Sequence, residues 1–143
     1  MIPTPSQTVG PFFGFAMPFE NDAVADAHGL RIEGQVLDGE GQPVPDALLE
    51  VSDDDQFGRC RTDSEGAFHF VVREPRAGFL TLTVFARGLL RHLNTRIYLP
   101  ESEDRLPLEV APERRRTLLA KRDGAALRFD VRLQGEGETV FFS

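Results

Sequence analysis

Chemistry in this chain would have to come from a short roster of side chains. The histidines are His28, His69 and His92, with a single tyrosine, Tyr98, and a single cysteine, Cys60. A zinc or non-haem iron site draws on closely spaced imidazoles and carboxylates, and no pair of these histidines has that spacing. Each reads as a solvated or structurally satisfied histidine, and Tyr98 as interior packing. Asp53-Asp54-Asp55 gathers three carboxylates, but the ligand spacing and terminal Glu of an EF-hand Ca²⁺ loop are missing, so it reads as plain loop acidity. No Gly-x-Ser-x-Gly is present, and Ser6, Ser52, Ser64 and Ser102 stand outside nucleophile-elbow contexts. Gly135-Glu136-Gly137-Glu138 is acidic and would repel a phosphate. One cysteine excludes a disulfide or a thiolate cluster within the chain, and Cys60 reads as a small buried hydrophobe. Residue type and spacing alone therefore yield no self-sufficient active site.

The elements that would position any site are strands. From Leu30 onward the period is two: Leu30, Ile32, Gly34 and Val36 on one face, Arg31, Glu33 and Gln35 on the other. Asp38-Gly39-Glu40-Gly41-Gln42-Pro43 is a turn, residues 47–51 a second strand, and residues 53–58 an acidic loop. Asp63-Ser64-Glu65-Gly66 turns tightly into a strand alternating Phe68, Phe70 and Val72. Residues 80–85, 92–99, 126–133 and 139–142 read as further strands, and only 112–119 could form a helical turn or two. Short strands between Gly/Pro turns predict an all-β sandwich with little helix. The expected organisation is an extended arm and lead-in over residues 1–29, then one sandwich domain over 30–143.

Size and charge narrow the function. A chain of 143 residues can bury one core without a staple. The net charge of −7 argues against nucleic acid or an anionic membrane as partner. Arg114-Arg115-Arg116 is a local exception and reads as a solvated face. The arm combines Pro3, Pro5 and Pro11, which exclude helix and central strand, with Val9, Phe12, Phe13 and Phe15, which want a surface to lie on. It lacks the basic and unbroken apolar regions of a secretory signal, and no run approaches a membrane span. The chain is expected to be soluble and cytoplasmic.

Several stretches carry a family resemblance. Residues 38–51, Asp38-Gly39-Glu40-Gly41-Gln42-Pro43-Val44-Pro45-Asp46-Ala47-Leu48-Leu49-Glu50-Val51, and then residues 61–70, are similar to the core of intradiol ring-cleavage dioxygenases. Thr4-Pro5-Ser6-Gln7-Thr8-Val9-Gly10-Pro11-Phe12, Leu82-Thr83-Val84-Phe85-Ala86-Arg87-Gly88 and residues 128–142 resemble one branch of that family, the alpha subunits of protocatechuate 3,4-dioxygenase. The resemblance implies a transthyretin-like β-sandwich and a cofactor, Fe(III), held by two tyrosines and two histidines. It implies that the iron sits in a beta subunit partner and not in this chain. The strand bearing the His-x-His ligand pair in iron-binding subunits reads Phe79-Leu80-Thr81 here, and neither Phe79 nor Thr81 can replace an imidazole. The segments that would supply tyrosinates look deleted, between Val51 and Arg59 and between Val72 and Phe79.

By the same resemblance the alpha subunit forms part of the substrate pocket wall where the two subunits meet, and its contributors here would be Thr8, Gly10, Pro11 and Arg87. The chemistry fits. The substrate is an aromatic carboxylate, Gly10 permits a close backbone approach, Pro11 is a rigid apolar wall, and Arg87 is a permanent cation with a planar fork. Arg91 and Arg96 read as ordinary surface arginines. Two other readings stand beside this one: a stand-alone transthyretin-like binding or scaffold module, and a 5-hydroxyisourate-type hydrolase. The latter family ends in Tyr-Arg-Gly-Ser, whereas this chain ends Phe141-Phe142-Ser143.

Overall fold

The computed structural model of the protein describes residues 22–142. Its strands are β1 (Leu30–Leu37), β2 (Leu48–Ser52), β3 (Phe57–Arg61), β4 (Ala67–Val72), β5 (Phe79–Phe85), β6 (Leu93–Tyr98), β7 (Lys121–Asp123), β8 (Ala126–Arg128) and β9 (Val131–Arg132). Between β6 and β7 the chain makes a 3-10 stretch (Pro100–Arg105), one short helix, α1 (Pro112–Arg115), and a 3-10 turn (Arg116–Leu118). One sheet runs β4-β1-β8-β7, with β9 also on β1, and the other runs β3-β2-β5-β6. Among the described residues no helix is long and apolar enough to cross a membrane.

The two-residue period builds this sandwich. In β1 it buries Ile32, Gly34 and Val36 and leaves Arg31 outside. In β5 it buries Leu80, Leu82 and Val84 while Thr81 faces outward. Ile32, Val36, Phe70 and Val72 of one sheet meet Leu49, Val51, Leu80, Leu82 and Val84 of the other in one core, all with 0% exposure. Each such side chain contributes on the order of 1.5–3 kcal/mol through burial. Ala23, ahead of β1, is buried in the same core.

Five segments differ from the sequence expectation, the first being the 3-10 stretch Pro100–Arg105, which lies outside the 112–119 region where helical turns are expected. The run 126–133 is two strands, because Asp130 Oδ1 rather than a main-chain carbonyl accepts the Gln35 N–H at 2.9 Å. Gly34 sits at this crossing, where a Cβ would stand 1.7 Å from the Phe129 carbonyl oxygen. Residues 139–142 form no ladder, because side-chain hydroxyls take both main-chain bonds of Val140. Thr95 Oγ1 donates to the Val140 carbonyl at 2.8 Å, and Val140 N–H donates to Thr117 Oγ1 at 3.1 Å. Only Phe142 bridges to Asn94. The 53–58 loop is shorter than expected, since β3 starts at Phe57 and pairs with β2 through residues too polar to signal a strand. The β7–β8 hairpin, whose turn residue Gly124 has φ 65°, is also absent from the sequence expectation because β7 is exposed throughout.

Candidate functional site

Leu48 of β2 lies opposite Phe85 of β5, so the segment leaving β5 meets the segment entering β2. The chain turns through Ala86-Arg87-Gly88-Leu89, closed by the Leu89 N–H donating to the Ala86 carbonyl at 3.2 Å. Gly88 has φ 90°, the sign that a type II turn requires at its third residue. A Cβ there would meet nothing within 4 Å, so backbone conformation and not crowding selects the glycine. Arg87 stands at the outer corner of the turn. Its guanidinium is 3.4 Å from Asp46 Oδ2, with 59% of its side chain exposed. An exposed pair of this kind is worth at most about 1 kcal/mol and is screened by salt. Arg87 can therefore exchange Asp46 for another oxyanion at small cost. On the same loop Leu90 is fully exposed and Arg91 and His92 face solvent. Of the other predicted pocket residues, Thr8, Gly10 and Pro11 lie outside the described residues, as do the phenylalanines of the arm.

The opposite end of β5 is closed. Phe79 pairs with Tyr98 across β5 and β6, and their rings stack at 4.9 Å. The Arg96 guanidinium lies 5.0 Å from the Phe79 ring centre and 4.5 Å from that of Phe142. It also donates to the Tyr98 hydroxyl at 3.0 Å. Arg96 is thus no ordinary surface arginine: two rings and a phenol hold it. No local pattern signals this, since Phe79 and Phe142 come from other segments: the β5–β6 register places Phe79, and the bridge to Asn94 places Phe142. Tyr98 is interior packing, as expected, with 2% exposure. At this end the ring of Phe79, the exposed hydroxyl of Thr81 and a phenol already bonded to a cation do not fit a ferric ion. Among the described residues no group of three His, Cys, Asp or Glu could hold a metal ion.

The remaining titratable candidates have structural roles. Asp53 locks the β2–β3 turn, accepting from the Asp55 N–H at 2.8 Å and the Gln56 side-chain amide at 2.9 Å. Burial alone would raise its carboxyl, but these bonds outweigh it and hold the group below its ordinary range. Burial pushes the Cys60 thiol up, which makes it a poor nucleophile. His69 faces Glu33 across β4 and β1. Burial first, then the Arg31 charge, lowers its imidazole below the usual value near 6.5, while Glu33 opposes.

The chain has clear relatives, although no family model matches it. It is 34% identical to the protocatechuate 3,4-dioxygenase alpha chain of Burkholderia cepacia over 189 aligned positions, spanning 97% of this chain and 96% of that one. It is 35% identical to the protocatechuate 3,4-dioxygenase alpha chain of Pseudomonas putida, over 97% of this chain and 95% of the relative. An alignment of 189 positions against a chain of 143 residues means that the relatives carry segments this chain lacks. Among solved structures, the dioxygenase domain of a dioxygenase–carbohydrate-binding protein fusion from Streptomyces sp. SirexAA-E superposes with a TM-score of 0.59 at 20% identity. That match covers 83% of this chain and 94% of the domain, and it shows a shared fold. The chain belongs to the protocatechuate 3,4-dioxygenase alpha-chain family.

Proposed function

We propose that this chain works as the alpha half of a protocatechuate-cleaving dioxygenase, completing the substrate pocket of a beta chain that holds the ferric iron. The reaction opens the ring between its two hydroxyl-bearing carbons. Both atoms of dioxygen enter the product, 3-carboxy-cis,cis-muconate. The observation that carries the division of labour is the strand Phe79-Leu80-Thr81. By resemblance this strand would bear the histidine ligands, and here it is committed to a stack of Phe79, Tyr98 and Arg96. No step at the metal is assigned to this chain.

What the chain supplies is a binding surface. Arg87 offers a cation whose described anionic partner is a single exposed carboxylate. The guanidinium fork matches the ring carboxylate of protocatechuate, and leaving the exposed Asp46 pair costs little. Thr8, Gly10 and Pro11 would form the adjoining wall, with Gly10 allowing a close backbone approach.

Co-expression with a beta chain tests the assignment. A stable complex should form that carries iron and takes up oxygen with protocatechuate, while this chain purified alone should carry none of that activity. A chain that remains monomeric or homodimeric in the presence of the beta chain would instead mark a stand-alone binding module. Stoichiometric ferric iron on the isolated chain would overturn the division of labour.

A further inference from the structure

The run Arg114-Arg115-Arg116 does not form one solvated face. Arg114 donates to the Glu138 carbonyl at 3.1 Å, with its carboxylate 4.0 Å away. Arg115 holds the carbonyls of Pro107, Leu108 and Val110 at 3.1, 3.0 and 2.7 Å, tying down the loop before α1. Arg116 turns instead to a concavity of about 250 Å³ that Lys121, Arg128, Arg132 and Asp130 also line.

The charges in this concavity do not cancel. Asp130 is already committed: its Oδ1 accepts the Gln35 N–H at 2.9 Å and Arg128 Nε at 3.0 Å. That pairing neutralises Arg128, which also bonds Gln35 Oε1 at 3.1 Å. The side chains of Arg116, Lys121 and Arg132 have no ion-pair partner among the described residues. Three like charges facing one space repel each other, and this happens in a chain whose net charge is −7. Gly137, with φ 75°, lies beside the Arg132 stem, where a Cβ would come within 3.2 Å of Arg132 Cδ. No hydrogen bond within the described fold uses these three cationic groups.

We propose that this cavity is a binding site for a small multivalent oxyanion, a di- or tricarboxylate or a phosphate. Its cations come from three separate elements: the 3-10 turn after α1, β7 and β9. A ligand with oxygens on more than one side can reach all of them, while a monocarboxylate reaches one wall. Guanidinium forks favour bidentate contact with carboxylate and phosphate oxygens alike. The concavity, about 250 Å³, leaves room for such a ligand. The site shares no residue with the Arg87 turn.

Titration calorimetry on the full chain at low ionic strength tests this, with citrate, orthophosphate and, as the monovalent control, acetate. Citrate or phosphate should bind one to one, more tightly than acetate and more weakly as salt rises, and the tighter of the two assigns the ligand as carboxylate or phosphate. The double variant Arg116→Gln/Arg132→Gln should weaken binding about tenfold or more, at roughly 1.4 kcal/mol per decade. Should that variant fail to melt like the parent, Lys121→Gln, on an exposed strand, should still weaken it several-fold. Absence of saturable binding, or affinities unchanged in the variants, would overturn the site. The same titration on the complex with a beta chain should retain the binding. Loss of binding on complex formation would overturn the small-ligand assignment and make the cavity a contact for an acidic segment of the partner. The titration of the chain alone stands whether or not the complex forms.

Discussion

Two arginines at opposite ends of the β5–β6 pair show how much a side chain's surroundings decide its role. Arg96 is gripped by Phe79, Phe142 and the Tyr98 hydroxyl. Arg87 touches one carboxylate, itself 45% exposed, from the corner of a glycine turn. Arg96 therefore contributes to stability, with one N–H given to a phenol and its guanidinium packed against two rings. Arg87 contributes almost nothing to stability, which leaves its charge available. The aromatic end is a packed plug in a place where the family resemblance implies iron ligands, and the turn end is a presented cation.

The comparison can be broken first at the packed end. Tyr98→Ala removes a ring with 2% exposure that packs with Leu106, Leu118 and Val140. It should cost about 3 kcal/mol or more in denaturant unfolding of the purified chain. A loss under about 1 kcal/mol would mean that the plug is not packed as described. Arg96→Ala should cost about 1–2 kcal/mol, because cation–π contacts of roughly 0.5–1 kcal/mol each and a hydrogen bond disappear together. Phe79→Leu combined with Arg96→Ala sharpens this: the two losses should be less than additive if the ring and the cation act as a pair. Gly88→Ala forces a side chain onto φ 90° and should cost about 1 kcal/mol. Arg87→Ala, by contrast, should change the unfolding free energy by less than about 0.5 kcal/mol. A larger loss would make Arg87 structural as well.

The smallest effect is a pH slope on the other sheet. The folded His69 imidazole titrates below its ordinary value near 6.5, so on acidification the unfolded chain takes up that proton first. The contribution of His69 is complete above about pH 6.5 and is lost as pH falls through the folded value. His69→Gln should flatten the melting temperature between about pH 7.5 and 5.5, and a slope identical to that of the parent chain would assign it elsewhere.

The strands with apolar alternation, β1, β4 and β5, were legible in the sequence, because burial on one face writes a two-residue period. Edge and hairpin strands such as β3 and β7 were not: β3 alternates, but the residues it turns inward are only Gly58 and Cys60, and β7 is exposed throughout. The break between β8 and β9 rests on one carboxylate, Asp130, bonding to a residue far away in sequence, which no local pattern encodes. At the candidate site, Arg87 was named through the resemblance, whereas the turn role of Gly88 emerges only from its φ of 90°. Asp46 as the resting partner, the clamp on Arg96 and the cation-lined cavity at Arg116 each needed three-dimensional neighbours to be seen.

The claim that Arg87 is a presented, ligand-facing cation is tested most directly by kcat/KM for protocatechuate. The measurement compares the complex with a beta chain carrying Arg87→Ala against the unaltered complex, at matched iron content. Loss of a charge-assisted contact worth about 1.5–3 kcal/mol lowers kcat/KM roughly ten- to a hundredfold with the melting temperature unchanged. Equal kcat/KM in the two complexes would contradict it.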